Sequence, residues 1–186
     1  LMMNYHTVET EQDMKDYISR ISAIGAAMAE LTSQTKIAAG EGVRAPRFAY
    51  KIVMKESKAI ILGVPFDDSG TDSTLWADAN TKVSALVKAD TITQKQGDGL
   101  IKAVRTALIN DFAPGYDDLI AFMTDDLKNT SEEALGVHAL PEGDEFYKYR
   151  LKSITTTDMT ADQIHQVGLD EVKRIRGEME VIKEKD

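Results

Sequence analysis

A run of apolar residues at helical spacing near the start of the chain limits its fold more than any other feature. Met14, Tyr17, Ile21, Ile24, Met28 and Leu31 follow one another at intervals of three or four. That period places them on one face of an α-helix about five turns long, whereas a strand would divide them between its two sides. Thr10 stands at the N-cap position, and Asp13 completes a Thr-x-x-Asp start. Such a stripe needs another helix to cover it, so the expected packing is helix on helix.

The same period recurs along the chain. After a loop around Gly40 and Gly42, Pro46 sits where a helix accepts proline in its first turn. Phe48, Ile52 and Val53 then supply an expected apolar face, and burial resumes at Ile60, Ile61 and Leu62 before Gly63-Val64-Pro65 closes the segment. Ser73 reads as the cap of a third helix, with Leu75, Trp76, Ala79, Val83, Leu86 and Val87 on one face and Trp76 as a core or interface anchor. Thr91 or Thr93 starts a fourth, with Gln94 or Gln96 three residues on. Its stripe is Leu100, Ile101, Val104, Leu108 and Phe112. Pro114 either kinks this helix or ends it, and Leu119, Ile120, Met123 and Leu127 carry the stripe further.

Residues 134–143 are the irregular stretch; little or no strand is expected, and any strand would lie near residues 134–140. A short helix follows with Tyr147, Leu151 and Ile154 on one side, broken at Thr155-Thr156-Thr157-Asp158. Thr160 with Gln163 forms a capping box for the last helix, whose stripe is Ile164, Gly168, Val172, Ile175, Met179 and Ile182. Asp170 and Arg174 are spaced for an exposed ion pair. The expected fold is all-α: one helical, bundle-like domain over residues 1–186, or part of a larger, mostly helical protein.

Composition narrows the function. The net charge of −9, with Lys and Arg interspersed among Asp and Glu, disfavours binding to nucleic acid or to an anionic membrane. With no cysteine, disulfides, thiolate metal sites and a thiol nucleophile are excluded. No apolar run approaches the roughly 18 residues of a membrane span. The chain opens at Leu1, and its last residues, Glu178 to Asp186, keep a helical pattern without a Gly or Pro stop. It therefore reads as part of a longer polypeptide. Ile175, Met179 and Ile182 are then expected to be covered by the rest of that polypeptide or by a second copy.

Tests for chemistry give little. Asp67, Asp68 and Asp72 surround Gly70, but neither register starting at Asp67 or Asp68 supplies the Gly and Glu of a calcium loop. His165 is followed by Gln166, and Leu169 stands four residues on, so there is no H-E-x-x-H pair. No G-x-S-x-G elbow or phosphate-binding glycine loop is present. Three residues remain as candidates for substrate binding: His138 in the irregular stretch, and Tyr147 and Arg150 in the Tyr-Lys-Tyr-Arg cluster. Tyr and Arg together can hold a peptide carboxylate or backbone. The alternative buries Tyr147 in its helix stripe and pairs Arg150 with a nearby acid. No catalytic or metal-binding residue is nominated, and no cofactor is expected in this chain.

Two segments carry a family resemblance. Residues 139–151, Ala139-Leu140-Pro141-Glu142-Gly143 through Tyr147 to Leu151, resemble an LPxGxxxYxxxL pattern. Thr155-Thr156-Thr157-Asp158-Met159-Thr160 through Ile164-His165 is similar to TTTxLTxxEIH, with Met159 and Gln163 as departures. Gly168-Leu169-Asp170-Glu171-Val172, Gly42 to Arg47 and Phe112 to Tyr116 also fit. The resembled family is the bacterial domain of unknown function numbered 885, a set of zinc-peptidase-like proteins. The resemblance implies a parent metallopeptidase of the H-E-x-x-H clan, many members being exported or lipid-anchored. It implies a zinc motif downstream of this region, with a zinc-polarised water and a Glu base. This chain is then a non-catalytic helical part whose partners are the rest of the polypeptide and, for the parent, a peptide substrate. The alternative is a non-enzymatic helical interaction module of an exported bacterial protein.

Overall fold

A computed structural model describes residues 2–184. The chain forms two compact units, Leu1–Ala134 and Leu135–Asp186. In the first, α1 (Met2–Tyr5) precedes α2 (Glu11–Gly40), α3 (Arg47–Ile60), α4 (Thr74–Lys88) and α5 (Gln94–Ala107). A π-helical turn (Leu108–Phe112) leads directly into α6 (Ala113–Asp126) and a 3-10 turn (Leu127–Asn129). In the second unit a 3-10 turn (Val137–Ala139) precedes α7 (Gly143–Thr155) and α8 (Ala161–Lys183). Among the described residues there is no sheet; Val64 and Asp72 form an isolated bridge.

Local chemistry sets the helix starts. Thr10 with Asp13, Thr93 with Gln96 and Thr160 with Gln163 all make complete capping boxes. Of the two candidates for the fourth helix, Thr93 is the cap. Ser73 occupies the N-cap of α4 without capping it: the hydroxyl is buried and has no hydrogen-bond partner among the described residues. Backbone helicity continues across Pro114. Proline brings no N–H to the helical ladder, and here the wide π turn lies immediately upstream.

α2 packs against α4, α5, the π turn and α6. Its Met14, Tyr17 and Ile21 meet Ala79, Val83 and Leu86 of α4 and Leu100, Val104 and Leu108 in a single core. A smaller cluster joins Tyr50 of α3 to Leu119 and Met123 of α6. The crossing of α2 with the π turn and α6 is a backbone contact. A Cβ at Gly25 would lie 2.0 Å from the Asp111 carbonyl oxygen, and one at Gly115 would lie 2.8 Å from that of Gly25. Only glycines allow the helices to approach this closely.

The structure corrects several expectations. Phe48, Ile52 and Val53 are exposed, and Tyr50 and Ser57 are the buried residues of α3. Tyr50, Met54 and Ser57 share one helical face, and α6 takes that face, where the Tyr50 hydroxyl reaches Asp126. Leu31 is exposed, because only the N-terminal part of the α2 stripe lies under the main core. Residues 134–140, where the sequence left room for at most a short strand, contain none and make a 3-10 turn, with Gly136 at φ 75°, in keeping with the expected all-α fold. Arg174 pairs with Glu171 and Glu178, leaving Asp170 to Gln166.

Within the second unit, Gly143 is the one buried position among the described residues. Its missing side chain lets α7 start beneath the 3-10 turn, since a Cβ there would lie 1.9 Å from the Val137 carbonyl oxygen. Leu151 is half-buried, whereas Tyr147 and Ile154 are exposed. Val172, Ile175, Met179 and Ile182 of α8 are all exposed.

Candidate functional site

The polar clusters of the first unit are saturated. Asp126, near the C-terminal end of α6, is buried and accepts two bonds from Arg44, through Nε at 2.8 Å and Nη2 at 3.1 Å. It also accepts from the Tyr50 hydroxyl at 3.0 Å and Asn129 Nδ2 at 2.8 Å. The Arg44 guanidinium, helped by Asn129 and Tyr50, outweighs burial and holds the Asp126 carboxyl at about 2. Burial, reinforced by Asp126, pushes the Tyr50 phenol up to about 12. Arg47 beside this cluster bonds Thr130 and pairs with Glu132. A carboxylate with four donors on it has little capacity left to accept a substrate proton. The arrangement ties the loop before α3 to the end of α6.

A second cluster is built the same way. Tyr17 donates to Asp78 at 2.7 Å, and Lys82 bonds both oxygens of that carboxylate at 2.7 and 2.9 Å. His6 is buried, sits edge-on to the Tyr17 ring, and is bonded by Arg20 and to the Asp13 carbonyl. Burial and Asp78 raise the Tyr17 phenol well above its ordinary value, so it stays a neutral donor. Asp67 organises its own turn, accepting from the Gly63 and Ser69 amides, with its carboxyl lowered by bonds from Ser69 and Gly63.

Recesses of about 420, 440 and 450 Å³ open on the first unit, and a cleft of about 460 Å³ lies in the second, between the segments that carry the Tyr-Lys-Tyr-Arg cluster and the Thr-rich turn. One wall is α7, the other is the turn into α8 and that helix's first residues. The turn is fixed locally. Thr155 bonds the Leu151 carbonyl and the Thr157 hydroxyl, and Thr156 reverses the chain in the left-handed region. Lys152 clasps Asp158 at 2.6 Å, lowering that exposed carboxyl, and Thr160 then caps α8. Tyr147, Leu151, Met159 and Ala161 contribute apolar surface, and Asp144 and Lys148 are among the charged residues of the lining.

Of the three residues singled out by sequence, the cleft includes Tyr147 and neither Arg150 nor His138. Tyr147 is 47% exposed, so it is not buried in a helix stripe. Arg150 is exposed and has no ion pair among the described residues. His138 is exposed on the 3-10 turn. Sequence reasoning missed Met159 and the Lys152–Asp158 clasp, which depend on how the turn folds back. It also missed the Arg44–Asp126 pair, whose partners are 82 residues apart. Among the described residues, no three His, Cys, Asp or Glu side chains gather where a metal ion would be held.

The family model described as "Bacterial protein of unknown function (DUF885)" matches residues 1–186. The chain belongs to this family. No curated protein matches it. In fold it is similar to the crystal structure of a "putative lipoprotein" from Colwellia psychrerythraea, with a TM-score of 0.75 and 23% sequence identity. The alignment covers 96% of this chain and 29% of that one, so the chain spans less than a third of that protein's length. In this DUF885 chain, the LPxGxxxYxxxL-like and Thr-rich segments are α7 and the turn into α8, the two walls of the cleft.

Proposed function

We propose that the full polypeptide is a zinc-dependent peptidase, and that residues 135–186 build part of the wall against which its peptide lies. The observation that carries this reading is the cleft. It is a concave, largely apolar recess with a half-exposed tyrosine, the usual form of a small-ligand or peptide site. It is built from the two segments that carry the resemblance to zinc-peptidase-like proteins. Among the described residues, no three His, Asp or Glu side chains gather as a ligating group. In this reading the metal ligands are supplied by the rest of the polypeptide. The role left to this chain is to shape the recess, exclude water from one side of the peptide, and orient it through Tyr147.

The test uses the full-length protein. Metal analysis is expected to find about one zinc per chain, and peptide hydrolysis should stop on chelation and return with zinc. Tyr147→Ala should raise KM more than it lowers kcat, since a wall residue binds ground state and transition state alike. A full-length protein with neither stoichiometric zinc nor hydrolysis would overturn the enzyme reading in favour of a binding module.

A further inference from the structure

The charges around the cleft restrict what it can hold. A site for a peptide carboxylate or an acidic side chain needs a cation with free donors, most effectively an arginine fork. Arg150, the arginine nearest in sequence, lies outside the lining. The two lining lysines are both engaged: Lys148 with Glu145 at 2.6 Å and Lys152 with Asp158 at 2.6 Å. The lining carboxylates Asp144 and Asp162 leave the lining more acidic than basic. Tyr147, Leu151, Met159 and Ala161 give the lining its apolar surface, on which Tyr147, Met159 and Ala161 are exposed and Leu151 is half-buried. Water held there is released when an apolar group enters, which favours binding in proportion to the area covered.

We infer that the α7–α8 cleft is a subsite for an apolar side chain of a peptide, of leucine, methionine or phenylalanine size, and that it discriminates against acidic side chains. This rests on the peptide reading above but does not require hydrolysis. A side chain of that size fits within 460 Å³ with its backbone along the rim. Leu151 and Met159 then set the preference, and Tyr147 covers the entering side chain. One missing methylene changes such a preference about ten-fold or more, and replacing the apolar group by a carboxylate changes it further.

The experiment is fluorescence anisotropy of the chelator-treated full-length protein with labelled, end-blocked hexapeptides of one sequence, carrying leucine, aspartate or lysine at a central position. The leucine peptide should bind at least ten-fold more tightly than the aspartate peptide. Leu151→Asp should abolish that difference, and Leu151→Met should retain it. Met159→Asp, at a more exposed position, should also abolish it with the melting temperature unchanged, which separates loss of the subsite from loss of the fold. Equal binding of the three peptides, no binding, or a preference that survives both aspartate variants would overturn the subsite. If the preference holds and no hydrolysis is found with zinc, the subsite stands and the peptidase reading falls. Hydrolysis with leucine preference untouched by the variants gives the reverse.

Discussion

Helix α5 of the first unit and helix α8 of the second both open with a capping box and both carry apolar residues at three- and four-residue spacing. In α5 those residues, Leu100, Val104 and Ala107, are buried in the main core. In α8 no residue is buried, and Val172, Ile175, Met179 and Ile182 face solvent. The contrast extends to the glycines. Gly25 and Gly115 bring two helices into backbone contact, whereas a Cβ at Gly168 or Gly177 of α8 would meet nothing within 4 Å. An amphipathic pattern states which face of a helix needs cover. It does not state what covers it, and the two units resolve that differently.

The strongest way to break this comparison is a cavity in the first unit. Leu108→Ala should cost about 2–5 kcal/mol, because the side chain, in the π turn, is fully buried in the main core. Trp76, the single tryptophan, packs against that same core, so its fluorescence in a urea titration reports this unit. A loss below about 1 kcal/mol would mean the core is not what holds the unit together.

Acid should also separate the units. Asp126 has its carboxyl lowered from the ordinary 3.8 to about 2 by Arg44 and its neighbours. The unfolded chain therefore binds the proton more readily. The stabilisation is complete above the unfolded value and is lost as pH falls through the folded one, about 2 kcal/mol in all. Urea titrations followed at Trp76, at about pH 5 and about pH 2, should show that drop, and Asp126→Asn should remove it. The Lys152–Asp158 pair of the second unit is exposed, and its loss should leave no comparable acid transition.

Capping sharpens the comparison at about 1 kcal/mol. Thr93→Ala should lower the cooperative stability of the first unit. Thr160→Ala should instead reduce helical circular dichroism without moving the Trp76 transition, since α8 has no buried contacts through which to share the loss. A Trp76 transition displaced by both variants would show that the two units unfold together.

The smallest effect is expected at α8 itself. In the chain of residues 1–186, Ile175→Ala should change stability by less than about 0.5 kcal/mol, the range of a surface substitution. The α8 amides should exchange with solvent faster than those of α2. A cost above about 1 kcal/mol, or equal protection of the two helices, would mean that α8 has a cover within this chain.

The helices and their starts were largely legible in the sequence, because a capping box and a stripe are written within a few turns of chain: Thr10 with Asp13, Thr93 with Gln96 and Thr160 with Gln163 need nothing from elsewhere. The break at Thr155 to Asp158 is local for the same reason, as those side chains bond their own backbone. Which face is used is not local. Phe48, Ile52 and Val53 look as apolar as any core stripe, yet α3 turns Tyr50 inward because Asp126, 76 residues further along the chain, waits there, held by Arg44 of the loop before α3. Tyr147 was readable as a candidate by its chemistry, but its setting was not. The cleft exists only because the turn at Thr156 places Met159 and Ala161 opposite Leu151. Sequence thus determined an all-helical chain and the polarity of each helix, since both follow from hydrogen bonds and spacing within one or two turns. The tertiary structure decided which stripes form a core, where the charges are saturated and where a recess stays open, since those depend on which distant surfaces meet.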